Sequence, residues 1–170
     1  MVIDEKAIRE TYSKIKHLTT NRKNMGEEEG KMFDAYVNLL GENARGLIDG
    51  FREMSEVYIK SRDFEQLPSR EKGIIYYQLY LMHVDRGREY LGESRRLCDE
   101  ITKGNREESI LRADLEGITG TADILVGREF ANKAYRVGGL PQTVPLDERK
   151  KLFKRYIGSL LDQYEPGKIH

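Results

Sequence analysis

Apolar positions recur along this chain at spacings of three and four residues, the period of a helix buried on one side. In residues 4–18 the stripe is Ile8, Tyr12, Ile15 and Leu18. Thr19, Thr20, Asn21, Asn24 and Gly26 then interrupt it, and such residues favour turns. From Glu27 to about residue 62 the stripe is at its longest: Phe33, Tyr36, Val37, Leu40, Ala44, Leu47, Ile48, Phe51, Met54 and Tyr58. Glu27, Glu28 and Glu29 fall in its first turn, where the helix dipole favours negative charge. Unbroken, this helix would reach about 54 Å. Gly41, Gly46 and Gly50 each cost about 1 kcal/mol against alanine in a helix, so the pattern leaves room for a break near Gly41.

A third segment starts at Pro68 or Ser69 and continues to about Ile101. Its apolar residues from Ile74 to Val84 lie all round the helix, which predicts the most buried stretch, centred on Ile75, Leu79 and Met82. Gly104 and Asn105 then read as a stop followed by a start, with Glu108 at capping-box spacing from Asn105. A fourth segment, 107–137, carries Leu111, Leu115, Ile118, Ala122, Leu125 and Val126 and ends at Gly138-Gly139. Pro141 and Pro145 impose an extended link before a fifth segment, 146–164, striped by Leu152, Phe153, Tyr156, Ile157, Leu160, Leu161 and Tyr164. No segment alternates with period two for long enough to make a strand. The expected fold is all-α: about five helices in a bundle, with a Gly/Pro-rich extended link before the last. The expected organisation is a single helical domain, 1–170, from which the helix at 146–164 can protrude and pack on a neighbour.

Composition narrows the picture. Lys plus Arg number 29 and Asp plus Glu number 29, so no whole-protein field steers the chain toward nucleic acid or an acidic membrane. The single Cys98 excludes an intramolecular disulfide framework and a multi-cysteine metal site. The run 74–84 contains three tyrosines, a glutamine and a histidine and is too short to span a bilayer. The expected location is the cytoplasm, or a virion if the chain is a coat protein.

Candidate chemistry is sparse. His17, His83 and His170 form no helical ligand pair, so neither a metal nor a cofactor is expected, and His83 reads as a core histidine with a satisfied hydrogen bond. Glu53-x-x-Glu56 resembles half of a carboxylate-rich Mg²⁺ site of the kind all-α nucleotide hydrolases use. A second half would have to come from Asp85 with Glu89 or Asp99 with Glu100. Each of those pairs adjoins arginines, and solvated ion pairs are the simpler reading. Cys98 and His83 stand about 22 Å apart along one helix, too far to act together. Gly117 and Gly120 lack the lysine of a phosphate loop, and close helix packing explains them better. No catalytic residue is assigned.

What remains points to interaction. Gly46-x-x-x-Gly50 places two small residues on one face and is the candidate oligomer interface. Two basic patches are candidate nucleic-acid contacts: Lys14, Lys16, Arg22 and Lys23, and then Arg149, Lys150, Lys151, Lys154 and Arg155. Between them, residues 27–56 hold eight acids and three bases. Basic ends with an acidic middle favour head-to-tail pairing of copies. The expected function is a non-enzymatic structural or interaction protein that forms homo-oligomers, or binds a helical protein partner, and contacts nucleic-acid phosphates through its basic helix. The alternatives are an all-α Mg²⁺-dependent nucleotide hydrolase and a ligand-binding or regulatory helical bundle.

Overall fold

A computed structural model describes residues 3–15, 26–101 and 106–138, together with positions 145, 147, 148, 151 and 154. The described residues form five helices and no strand: α1 (Glu5–Ser13), α2 (Glu27–Glu56), α3 (Arg62–Glu65), α4 (Ser69–Ile101) and α5 (Arg106–Gly138). The protein is all-α, as the periodicity predicts. The expected link before 146 and the helix at 146–164 lie outside the described residues, apart from helical backbone at Asp147, Glu148, Lys151 and Lys154. So do the turn 19–25 and the capping pair Gly104 and Asn105.

The chain divides into two compact units, and α2, α4 and α5 each supply residues to both. Unit 1 comprises Met1–Gly50 and Arg86–Asp123; unit 2 comprises Phe51–Asp85 and Ile124–His170. In unit 1, Asp4 caps α1 by accepting from the Ala7 N–H at 3.0 Å, and its own N–H donates to Asn43 Oδ1 at 2.8 Å. Ile8, Ile15, Tyr36 and Leu111 form a core cluster, with Ile3, Tyr12, Met32, Leu39, Leu40 and Leu115 packed against it. In unit 2 the buried apolar residues are Phe51, Phe64, Ile74, Ile75, Leu79, Val84, Val126, Phe130 and Ala134.

Helix α2 runs unbroken through Gly41. It ends at Glu56 and not near residue 62, because the chain turns where Tyr58 N–H donates to Ser55 O and Lys60 N–H to Glu56 O. Ser61 then caps the short α3, its Oγ accepting from the Phe64 N–H at 3.1 Å. Phe64 is thereby seated edge-on against Tyr76, with ring centroids 5.3 Å apart.

Helices α4 and α5 approach closely over small residues. In unit 1, Ser94 Oγ donates to Ala113 O at 2.7 Å. A Cβ added at Gly120 would stand 2.7 Å from Gly87 O and 2.8 Å from Leu91 Cγ, so Gly120 is required by packing, as the sequence suggests. In unit 2 a Cβ at Gly127 would stand 3.1 Å from both His83 Cβ and Val84 Cγ2. Within each unit the paired positions run in opposite directions along the two helices, which are antiparallel there.

That contact also explains where the predicted core is wrong. Ile75 and Leu79 are fully buried, but Met82 is 44% exposed. His83 and Val84 take the buried side opposite Gly127 instead. Successive residues differ by about 100° round a helix, so Met82 is turned outward.

Candidate functional site

Unit 2 buries a histidine, His83, on α4. Its ring stacks on Phe130, centroids 5.6 Å apart and planes within 1°, and Phe51 meets it edge-on at 6.4 Å. Its Nε2 lies 2.6 Å from Ser55 Oγ. Ser55 lies one turn beyond Phe51 on the buried face of α2, and only 3% of His83 and 6% of Ser55 is exposed. This is the hydrogen-bonded core histidine that the sequence predicts. The serine partner was missed, although a polar residue four positions after a core phenylalanine was the available signal.

Around this pair unit 2 places fixed charges. Arg52 grips Glu129 with two bonds, Nε to Oε2 and Nη2 to Oε1, each 2.8 Å. The hydrogen bond from Arg52 holds the Glu129 carboxyl below its ordinary value. Lys133 Nζ stands 5.1 Å from the Phe130 ring centroid, and Lys72 Nζ is 5.8 Å from that of Phe64. A serine against an imidazole is the beginning of a nucleophile–base pair. Here both groups are enclosed by packed rings, so the bond aligns α2 with α4 and presents no nucleophile to solvent.

Unit 1 holds two buried polar contacts of its own. Tyr36, its ring tilted against that of Tyr12 with centroids 5.4 Å apart, donates from its hydroxyl to Asp114 Oδ2 at 2.6 Å. Burial pushes the Asp114 carboxyl above its ordinary value, and the bond from Tyr36 only partly opposes that. Burial also raises the Tyr36 hydroxyl. On α5, Asp123 has no exposed side-chain surface and takes two bonds from Arg86, Nε to Oδ2 at 2.5 Å and Nη2 to Oδ1 at 2.9 Å. Both contacts tie helices together. Neither was read from the sequence, because single carboxylates on a helix carry no periodic signal.

The sequence-predicted positions fall as follows. Lys14, Lys151 and Lys154 are exposed; Lys16, Arg22, Lys23, Arg149, Lys150 and Arg155 lie outside the described residues. Gly46 is exposed with nothing within 4 Å of a Cβ added there, and Gly50 is half-buried. Among the described residues, no helix packs on Gly46. Glu53, Asp85, Glu89 and Asp99 are exposed. Glu56 pairs with Lys60, which lowers its carboxyl, and Glu100 pairs with Arg96. Among the described residues no group of three or more His, Cys, Asp or Glu is placed to hold a metal ion. None of the described helices is long and apolar enough to cross a membrane.

Comparison with known proteins finds no matching family model, no similar curated protein and no similar solved structure.

Proposed function

We propose that the chain is a non-enzymatic helical interaction protein that self-associates, with its basic segment 149–155 meeting nucleic-acid phosphates. One flank of α2 in unit 1 carries the first half of this reading. Phe33, Val37, Leu40, Ala44 and Ile48 follow one another there at three-four spacing. None is fully buried, and Val37 is 46% exposed. Apolar surface of this kind gains about 25 cal/mol per Å² when covered.

Charge supports a second copy as the cover. Residues 27–56 hold eight acids and three bases, and Glu42, Asp49 and Glu53 among them are exposed. The segment 149–155 holds five bases and no acid. Complementary stretches on one chain pair between copies, and heterologous contacts of that sort propagate. The same basic segment suits phosphates, which neutralise lysines and arginines without reading sequence.

Sedimentation of the full chain tests the reading. The expected mass exceeds 19.7 kDa, rises with concentration and falls when Val37→Lys is introduced, with helicity unchanged. A monomer at every accessible concentration refutes self-association. For the phosphate half, replacing Lys150, Lys151, Lys154 and Arg155 with Gln should flatten the salt dependence of nucleic-acid binding; an unchanged slope removes it.

A further inference from the structure

The outer face of α5 in unit 2 combines exposed arginines with an exposed aromatic and no acid. From Ile124 to Val137 the exposed residues are Leu125, Arg128, Asn132, Tyr135 and Arg136. They share one side of the helix, following one another at spacings of three, four, three and one, and no acid stands among them. The acids of this stretch of α5 are accounted for: Glu129 is held by Arg52 at the flank. Among the described residues, Arg128 and Arg136 pair with no carboxylate. Arg9, Arg52, Arg86 and Arg96 are engaged by Glu108, Glu129, Asp123 and Glu93, whereas Arg45, Arg88 and Arg95 are exposed like Arg128 and Arg136. What sets this face apart is the tyrosine beside its arginines and the lack of an acid. Tyr135 is 69% exposed, the most exposed large hydrophobic side chain among the described residues.

We infer that this face binds single-stranded nucleic acid. Arg128 and Arg136 stand about 12 Å apart along the helix, by its rise per residue, and Tyr135 immediately precedes Arg136 on the same side. A guanidinium engages phosphate oxygens through a planar two-bond fork. An exposed tyrosine offers a ring on which an unpaired base stacks, and every base has such a face, so the contact is tolerant of sequence. Asn132, one turn before Arg136, adds amide donors and an acceptor for a base edge or sugar. A duplex would use the arginines but keep its bases from Tyr135. An acidic protein segment would use the arginines and gain little from the ring. The exposed aromatic on the same face as two arginines is what favours a single strand. The inference stands apart from self-association and from the basic segment 149–155.

The experiment is fluorescence anisotropy of a labelled dT20 strand with the full chain, across a range of salt. Wild type should bind the strand more tightly than a duplex of equal length. Tyr135→Ala should weaken binding by about 5- to 150-fold, the factor that corresponds to loss of one stacked base. Tyr135→Phe should retain it. Arg128→Gln with Arg136→Gln should lower the slope of log affinity against log salt by about 1.4, two contacts at about 0.7 each on a single strand. Circular dichroism should be unchanged in all, since these side chains are exposed. Four results overturn the inference: no binding of dT20 at low salt, a Tyr135→Ala variant that binds as wild type does, a duplex bound equally well, or displacement by polyglutamate as readily as by unlabelled strand. If binding vanishes on neutralising 149–155 but ignores the α5 variants, the basic segment stands and this face does not.

Discussion

Ser55, and not the Met54 that the apolar stripe names, lies on the buried side of α2 one turn after Phe51, while Met54 is 53% exposed. His83 is the reason a polar residue stands there. An imidazole set between Phe130 and Phe51 needs a polar partner at Nε2, and the Ser55 hydroxyl supplies it at 2.6 Å. Removing one partner of a buried hydrogen bond exposes the other to its full desolvation cost, about 1–3 kcal/mol. Ser55→Ala should therefore lower stability by about that amount in urea titration, with no change in the denaturant slope. Ser55→Thr, which keeps the hydroxyl, should recover part of it. A Ser55→Ala variant as stable as wild type would show that the bond contributes nothing net. At this scale the sequence is half legible. A lone histidine amid Ile, Leu and Val announces burial, and a serine one turn after a core phenylalanine marks a buried polar position, but no spacing within one segment says that the two meet.

At the scale of elements, the long helices were readable because their stripes are long. Helix α4 begins and ends where the pattern predicts, and α5 nearly so. The errors fall where local chemistry outweighs periodicity: α2 stops at Glu56, short of the expected end near residue 62, and the Ser61 hydroxyl caps a short α3 that the pattern does not predict. A subtler signal decides how α4 and α5 pack. Ala113, Gly120, Gly127 and Ala134 recur every seven residues and are all buried. Looking only for apolar stripes hides this, because the residues that matter are small. Two glycine substitutions separate close packing from helix propensity. Gly120→Ala pushes a methyl group to 2.7 Å from the backbone oxygen of Gly87, which cannot swing aside. It should destabilise by about 1–3 kcal/mol despite alanine's better propensity. Gly46→Ala meets nothing within 4 Å and should stabilise by about 0.5–1 kcal/mol. Thermal melts of the two variants should shift in opposite directions. Shifts of the same sign would refute the packing argument, and a Gly46→Ala loss accompanied by a smaller sedimenting mass would place a second copy on that glycine.

The whole molecule is electrically balanced, so its response to pH depends on where charges sit and not on their sum. Hydrogen bonds from Lys60, Arg96, Arg9 and Arg52 hold Glu56, Glu93, Glu108 and Glu129 below the ordinary glutamate value of 4.5. Burial holds Asp114 and Glu116 above their ordinary values of 3.8 and 4.5. The two sets act with opposite sign. A lowered carboxyl contributes stability that is present above its unfolded value and is lost as pH falls through its folded one. A raised carboxyl contributes stability that is present below its unfolded value and is lost as pH rises through its folded one. The lowered set is larger, so the melting temperature should hold from neutrality to about pH 5 and then fall below about pH 4.5, where the unfolded glutamates begin to take up protons first. Most of these pairs are exposed, so the drop should shrink in 1 M salt. Two variants divide the effect. Glu129→Gln removes a lowered group and should make the acid drop shallower. Asp114→Asn keeps an acceptor for the Tyr36 hydroxyl, removes a raised group that otherwise offsets the drop, and should make it steeper. Melts at pH 7, 5, 4 and 3 for the three proteins are the measurement. If both variants change the drop in the same direction, the assignment of sign to these two sites is wrong. If wild type melts as high at pH 3 as at pH 7, the ion pairs that decorate its helices do not hold the fold.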